Sequence, residues 1–263
     1  MTTLTGQVAL VTGAGRGFGR AIAMRLAREG AAVALMARSA AELEATAAAI
    51  AAEGGQAVAI PGDVTSREDV DRAAALAAAR LGAVSILISN AGVPGPFGPV
   101  WQVDPDQWWR SQALHIRAPV LLFHALVPGM IARAGGRIVL VSAIASHMTA
   151  PHLSAYCVGK TAQVRLVQHL AAEGREHGIH AFAIDPGFVI TQLAEDTMGS
   201  PDAQRWLGGM VERLAERKKT ETGGDLERCA QRCLDLVSGR YDGLSGRYME
   251  LPDDLDRMLQ EAP

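Results

Sequence analysis

A glycine-rich turn between a short apolar run and a helical pattern constrains this chain most. Val8-Ala9-Leu10-Val11 reads as a buried strand, and Thr12-Gly13-Ala14-Gly15-Arg16-Gly17-Phe18-Gly19 follows it directly. Ile22, Met24, Leu26 and several alanines then recur at helical spacing up to Gly30. Strand, glycine turn and helix in that order let backbone come close to a pyrophosphate. The helix N-terminus offers free N–H groups and a partial positive charge. The spacing is Gly-x-x-x-Gly-x-Gly, not the Gly-x-Gly-x-x-Gly of the usual dinucleotide fingerprint.

The strand–helix rhythm repeats. Strands are expected at Ala32 to Met36, Ala57 to Ile60, Val84 to Ser89, Arg137 to Val141, Ala181 to Ile184 and near Gly246 to Leu251. Helices are expected at Ala41 to Ala52, Arg67 to Leu81, from Tyr156 to about His177, and near Asp225 to Val237. One long helical pattern, Asp104 to Ala134, is expected to be kinked or divided at Pro119 and Pro128. Trp101, Trp108 and Trp109 read as packing groups on and before it. Such alternation implies an α/β fold: a doubly wound parallel sheet with helices on both faces and ligands at the strands' C-terminal ends. With no repeat or linker, residues 1–263 read as a single domain. Residues 188–222 break the rhythm with a polar insertion, which reads as a substrate lid or as an exposed helical pair.

Composition narrows the function classes. At 263 residues, 49% hydrophobic and 20% charged, with net charge -3, the chain has no electrostatic case for nucleic acid or an anionic membrane. No charged n-region precedes an apolar core at the N-terminus, and no run of about 18 apolar residues is apparent. The reading is cytoplasmic. Cys157, Cys229 and Cys233 form no even framework and no metal set, so no metal site is expected; they read as buried or idle thiols.

Cofactor choice turns on the exit of the second strand. An acid about 20 residues after the glycines would hold a ribose 2′-hydroxyl and select NAD. Ala37 and Arg38 stand there instead. Arg38 and Arg16 are suited to a 2′-phosphate, which favours NADP(H) over NAD(H), the alternative being a solvated Arg38.

Chemistry is carried by Tyr156-Cys157-Val158-Gly159-Lys160. A phenol and an ammonium four residues apart share one helix face, and the charge is expected to lower the phenol's pKa. Ser89-Asn90-Ala91-Gly92, Ser142-Ala143-Ile144-Ala145-Ser146 and Asp185-Pro186-Gly187-Phe188-Val189-Ile190-Thr191 all lie at strand exits, on the expected cleft.

With these motifs in order, the chain resembles the short-chain dehydrogenase/reductase family over almost its whole length. The matching residues are Thr12-Gly13-x-x-x-Gly17-x-Gly19, Asp63-Val64, Asn90-Ala91-Gly92, Tyr156-x-x-x-Lys160, and Pro186-Gly187 with Thr191. The resemblance implies a Rossmann-type seven-stranded parallel sheet and a homotetramer or homodimer. It implies that Asp63 and Val64 flank the adenine and that Asn90, Ala91 and Gly92 line the cofactor. Pro186, Gly187, Val189 and Thr191 would hold the nicotinamide end, and Gly13, Gly17, Phe18 and Gly19, with Arg16 towards the 2′-phosphate, complete the cofactor residues. Tyr156 would be the acid/base, and Lys160 would tune it and bond the nicotinamide ribose.

Two departures stand out. The family usually has a serine 13 residues before the tyrosine; here that residue is Ala143, with Ser142 one place earlier as a candidate substitute. His115 stands where the family's helix asparagine is usual, as a relay group, a second acid/base, or a structural histidine. Ala143, His147 and Phe188 are expected to border the substrate, with Phe97 and Trp101 at the rim, and a medium or large apolar small molecule is anticipated. The expected activity is an NADP(H)-dependent oxidoreductase on a carbonyl or alcohol. The alternatives are a lyase, isomerase or cyclase that uses Tyr156 beside a bound nucleotide, and a nucleotide-sensing protein without catalysis.

Overall fold

In a computed structural model that describes residues 4–220 and 223–261, the strand patterns assemble into one sheet. β1 (Val8–Thr12), β2 (Ala32–Ala37), β3 (Gln56–Pro61), β4 (Ile86–Ser89), β5 (Gly136–Val141), β6 (Ile179–Ile184) and β7 (Tyr248–Met249) pair in the order β3-β2-β1-β4-β5-β6-β7. Every pairing is parallel. Both faces of β1 and β4 are buried, which explains their unbroken apolar runs. The order reverses between β1 and β4, so a crevice opens where these strands end.

The helices are α1 (Gly17–Arg28), α2 (Ala40–Ala52), α3 (Arg67–Leu81), α4 (Pro105–Gln112), α5 (Ala118–Ala132), α6 (Ser154–Gly174), α7 (Gln192–Gly199), α8 (Pro201–Trp206), α9 (Gly208–Thr220), α10 (Gly224–Val237) and α11 (Leu255–Gln260). Local chemistry starts several of them. The Ser39 and Ser66 side chains cap α2 and α3, and Asp104 Oδ1 accepts the Asp106 and Gln107 N–H groups at 2.8 and 2.9 Å. Two apolar clusters fill the faces of the sheet. Ile22, Leu26, Phe182 and Leu236 lie on one, and Leu87, Leu122, Leu140 and Val167 on the other.

Sequence and fold differ at several places. The break in the long helix is a π-helical turn at Ala113–Arg117, not a proline kink. Pro119 follows directly on that π-helical turn, at the start of α5, and Pro128 lies inside α5 without ending it. An 18-residue window within the helical stretch Pro105–Ala132 has a mean hydropathy of 1.5, enough by length and composition alone to cross a membrane, although Asp106, Arg110 and Arg117 interrupt the stretch. In this fold it packs on α3 and α6. Trp101 and Trp109 are 80% and 68% exposed, so they are not core packing groups. α11 was not apparent in the sequence pattern, being under two turns long. The insertion at 188–222 forms three short helices, α7 to α9; its last two residues lie outside the described residues.

Candidate active site

The glycine turn after β1 is held from two sides. Gly13 N–H donates to the Met36 carbonyl at 2.8 Å, and Thr12 Oγ1 accepts the Asn90 and Ala91 N–H groups at 2.9 and 3.2 Å. Asn90 Nδ2 donates to the Thr12 carbonyl at 3.0 Å. Gly19 is so close to this staple that a Cβ there would lie 2.2 Å from the Gly13 carbonyl oxygen. Gly17 has φ +54°, and a Cβ on it would meet Thr191 Cγ2 at 3.3 Å. The first turn of α1 therefore lies against the Pro186–Thr191 segment at Thr191. Thr12 is a site residue that sequence reasoning passed over. A threonine ending a strand just before a glycine turn is the signal that marks it.

At the ribose end, Arg38 is exposed and has no ion pair among the described residues. Arg16 lies 3.2 Å from Glu42 in an exposed pair. Asp63 Oδ1 accepts the Thr65 N–H and hydroxyl, both at 2.8 Å, and Val64 beside it is buried.

α6 sets Tyr156 and Lys160 one turn apart, and the Lys160 ammonium lies over the Tyr156 ring, 5.6 Å from its centroid. Lys160 is buried and donates to the Val141 carbonyl at 2.8 Å and to Gln163 Oε1 at 3.2 Å. Burial brings its pKa down to about 7, with the Asp185 carboxylate opposing. The phenol of Tyr156 is pushed up, first by burial and then by Asp185 and Cys157, which overturns the expected lowering. A partly neutral ammonium cannot outweigh the loss of solvent around a phenolate. Tyr156 is therefore held protonated, the form that donates a proton.

His115 sits in the π-helical turn, fully buried, its ring edge-on to Tyr156 with centroids 5.6 Å apart. Its Nε2–H donates to the Val93 carbonyl at 3.0 Å, and Nδ1 is buried with no partner. Burial, then the Lys160 charge, lower its pKa to about 3. A second acid/base titrating near neutrality is thus corrected to a neutral imidazole of fixed tautomer. Gly159 makes room for it, since a Cβ there would lie 2.7 Å from His115 Cβ.

Ser142 cannot stand in for a serine at 143. Just past the end of β5, its buried hydroxyl donates to the Lys160 carbonyl at 3.0 Å. Ala143 belongs to an apolar cluster with Phe97, Ala145, Leu153, Cys157 and Ala203, against which the half-buried Tyr156 packs. Phe97 is thus buried wall, while the exposed Trp101 stands outside that cluster. His147 is exposed, its Nδ1 taken by Ser146 Oγ at 2.8 Å and its ring 4.4 Å from Tyr248. Phe188 lies instead in a groove of about 920 Å³ with α9 and α10, under the Arg217 guanidinium. Its N–H donates to Asp225 Oδ2 at 2.8 Å, which anchors the Pro186–Thr191 segment to α10.

Helix α8 packs into the same apolar cluster as Tyr156. Ala203 is fully buried in the Tyr156 cluster, with Leu207 and Val211 packed on it. Trp206 lies against His152 with the rings tilted by 35° and centroids 5.1 Å apart, and His152 has φ +68°, a left-handed conformation uncommon outside glycine. Its carbonyl accepts the Gly98 N–H at 2.9 Å, so three loops meet at Trp206.

Comparison with known proteins bears on the family and the fold. The short chain dehydrogenase family model matches residues 7–200. A short chain dehydrogenase of Pseudocercospora fijiensis is 33% identical over 98% of this chain and 84% of its own length. Dehydrogenase/reductase SDR family member 4 of Bos taurus is 36% identical over 92% of this chain and 87% of its own. Among solved structures, a 7α-hydroxysteroid dehydrogenase complexed with NADH and 7-oxo glycochenodeoxycholic acid superposes with TM-score 0.82 at 27% identity, covering 95% and 94% of the two chains. A gluconate 5-dehydrogenase from Burkholderia cenocepacia, in complex with NADP and tartrate, gives 0.80 at 27% identity over 100% and 98%.

Proposed function

The chain belongs to the short chain dehydrogenase family, and from that premise we propose that it is an NADP(H)-dependent oxidoreductase acting on the carbonyl or alcohol of an apolar small molecule. The observation that carries the reading is the geometry of Tyr156, with the Lys160 ammonium over its ring and an apolar cluster packed against it. NADP(H), when bound, supplies the hydride. Gly13, Gly17, Phe18 and Gly19 present backbone to the pyrophosphate, and Arg38, with Arg16, takes the 2′-phosphate. Asp63 and Val64 border the adenine. Asn90, Ala91 and Gly92 form the floor, and Pro186, Gly187, Val189 and Thr191 the nicotinamide end.

Tyr156 gives its proton to the substrate oxygen in reduction and takes it back in oxidation. Lys160 steadies that charge change, and His115, neutral and fixed, packs against the Tyr156 ring. Residues 188–222 act as the lid: Ala203, Leu207 and Val211 exclude water from the phenol. Exposed Trp109, Val120, Ile131 and Val158 on α4, α5 and α6 fit a homodimer or homotetramer interface. Three buried free thiols fit the reducing cytoplasm.

A non-redox lyase or isomerase is the second reading, favoured by Ala143 alone. Tyr156→Phe tests the proposal. We expect turnover to fall about 10³-fold, within the range of general-acid contributions, with cofactor affinity unchanged. Full activity in that variant would refute the role of the phenol.

A further inference from the structure

Among the described residues, five side-chain nitrogen or oxygen atoms are buried without a hydrogen-bond partner. Ser111 Oγ, Gln112 Oε1 and His115 Nδ1 belong to α4 and the π-helical turn, and Tyr248 Oη belongs to β7. The fifth, His152 Nδ1, belongs to the loop before α6, where that loop meets the lid at Trp206. A buried polar atom left unpaired costs free energy, so each one calls for an explanation. His152 is also one of two non-glycine residues with positive φ among the described ones, the other being Ala134 in the turn before β5. Such strain persists only where the surroundings impose it, and it gathers at ligand sites. Here the Gly98 N–H holds the His152 carbonyl at 2.9 Å, and Trp206 lies against the ring.

The Trp206 indole brings a second unused group. Its Nε1 has no acceptor among the described residues and would lie 3.4 Å from a Cβ on Gly98. An indole N–H only donates, whereas an imidazole nitrogen donates or accepts according to its tautomer. The Arg205 guanidinium lies over the indole ring, 4.7 Å from its centroid, and has no ion pair among the described residues. All of this borders the wall of Tyr156. Leu207 follows Trp206, Leu153 follows His152, Phe97 precedes Gly98, and each belongs to or packs on the cluster that Tyr156 packs against.

We infer, resting on the redox reading above, that Trp206 and His152 bind a second oxygen of the substrate, remote from the one that Tyr156 protonates. The substrate class is an apolar ketone, or the matching alcohol, that carries a further acceptor oxygen in a carboxylate or a carbonyl. Trp206 Nε1–H donates to that oxygen, and His152 does so from Nδ1 in the tautomer protonated there. Arg205 beside them favours the carboxylate. A plain ketone leaves the imidazole nitrogen unmet under the closed lid. Sites built to hydrogen-bond a substrate group reject the analogue lacking it far more strongly than they reject a missing methylene. Trp206 and His152 are thus specificity residues, and the proton and hydride transfers at Tyr156 are unaltered.

The experiment takes oxo acids of increasing chain length, diones in which a methyl ketone replaces the carboxylate, and plain alkyl ketones of the same lengths. Each is assayed with NADPH in wild type, Trp206→Phe and His152→Gly, and its binding to the NADP⁺-loaded protein is measured by calorimetry. Phenylalanine keeps an aromatic ring in the lid without the N–H, and glycine accepts the left-handed backbone without the imidazole. At the length that spans the two sites, wild type is expected to favour the oxygen-bearing ketone over its alkyl partner at least about tenfold in kcat/KM, chiefly through KM. An oxo acid ahead of its dione assigns a carboxylate, and the reverse assigns a carbonyl. Each substitution is expected to shrink the preference and to leave cofactor affinity unchanged. Alkyl ketones equal to their partners at every length in wild type, or a preference unchanged by either substitution, overturn the inference. The wild-type ratio needs no variant to fold. If no carbonyl of any kind is reduced, the redox reading fails; binding then still decides, because oxygen-bearing ketones bound no tighter than alkyl ketones overturn the inference by themselves.

Discussion

The two halves of the cleft are built by different means. On the cofactor side the determinants are backbone: glycines at 13, 17 and 19, and the Thr12–Asn90 staple that joins the ends of β1 and β4. On the substrate side they are side chains from distant segments, with Phe97, Ala143, Cys157 and Ala203 meeting around one phenol. Backbone-dictated sites tolerate almost no added atom, whereas a packed apolar wall can change shape with its ligand. The first half should therefore respond to substitution by losing cofactor, and the second by changing substrate preference.

Gly19→Ala is the severest test of that contrast. Its Cβ would lie 2.2 Å from the Gly13 carbonyl oxygen and 2.6 Å from Asn90 Nδ2, so the staple must shift. Cofactor affinity measured by calorimetry should fall at least about 100-fold, in the range of losing two or more hydrogen bonds to a charged group. An unchanged affinity would break the backbone account. Arg38→Ala comes next. Loss of a charge-assisted contact should weaken NADPH binding about 10- to 100-fold and leave NADH nearly unaffected. Equal losses for both cofactors would remove the 2′-phosphate assignment.

Trp206→Ala probes the other half. Removing its contact with His152 should loosen α8 by about 0.5–1.5 kcal/mol. KM should then rise roughly three- to tenfold with little change in cofactor affinity. A change in cofactor affinity alone would merge the two halves.

The last test concerns His115 and is read in stability against pH. Its folded pKa of about 3 lies below its ordinary value of 6.5, so between these values the unfolded chain binds more protons. Stability must therefore fall as pH drops from about 6.5 towards 3, by up to about 1.4 kcal/mol per unit. Thermal melts of His115→Asn should lose part of that slope. An unaltered slope would mean that the imidazole is not held neutral.

What the sequence disclosed follows the same division. Gly13, Gly17 and Gly19, Asn90, and the Tyr156–Lys160 pair were legible because each answers a local requirement of backbone conformation or helical spacing. The seven parallel strands were legible through their unbroken apolar runs. The direction of the Tyr156 shift was not, because it depends on how much water packing removes, and the charge of Lys160 is itself reduced by that packing. Ser142 was ambiguous until the fold showed its hydroxyl on the Lys160 carbonyl. The contact of Trp206 with His152 spans 54 positions in the chain and leaves no local pattern. The polar insertion announced a break in rhythm but not that Ala203 would be buried against Ala143 and Cys157.

The central claim is that Tyr156 protonates an oxygen whose carbon receives a hydride. The direct measurement supplies wild-type protein with NADPH and a panel of apolar ketones, following cofactor absorbance and product mass together. The account predicts one cofactor oxidised for each alcohol formed, with a mass gain of two hydrogens. Product that appears with no cofactor oxidised would contradict it.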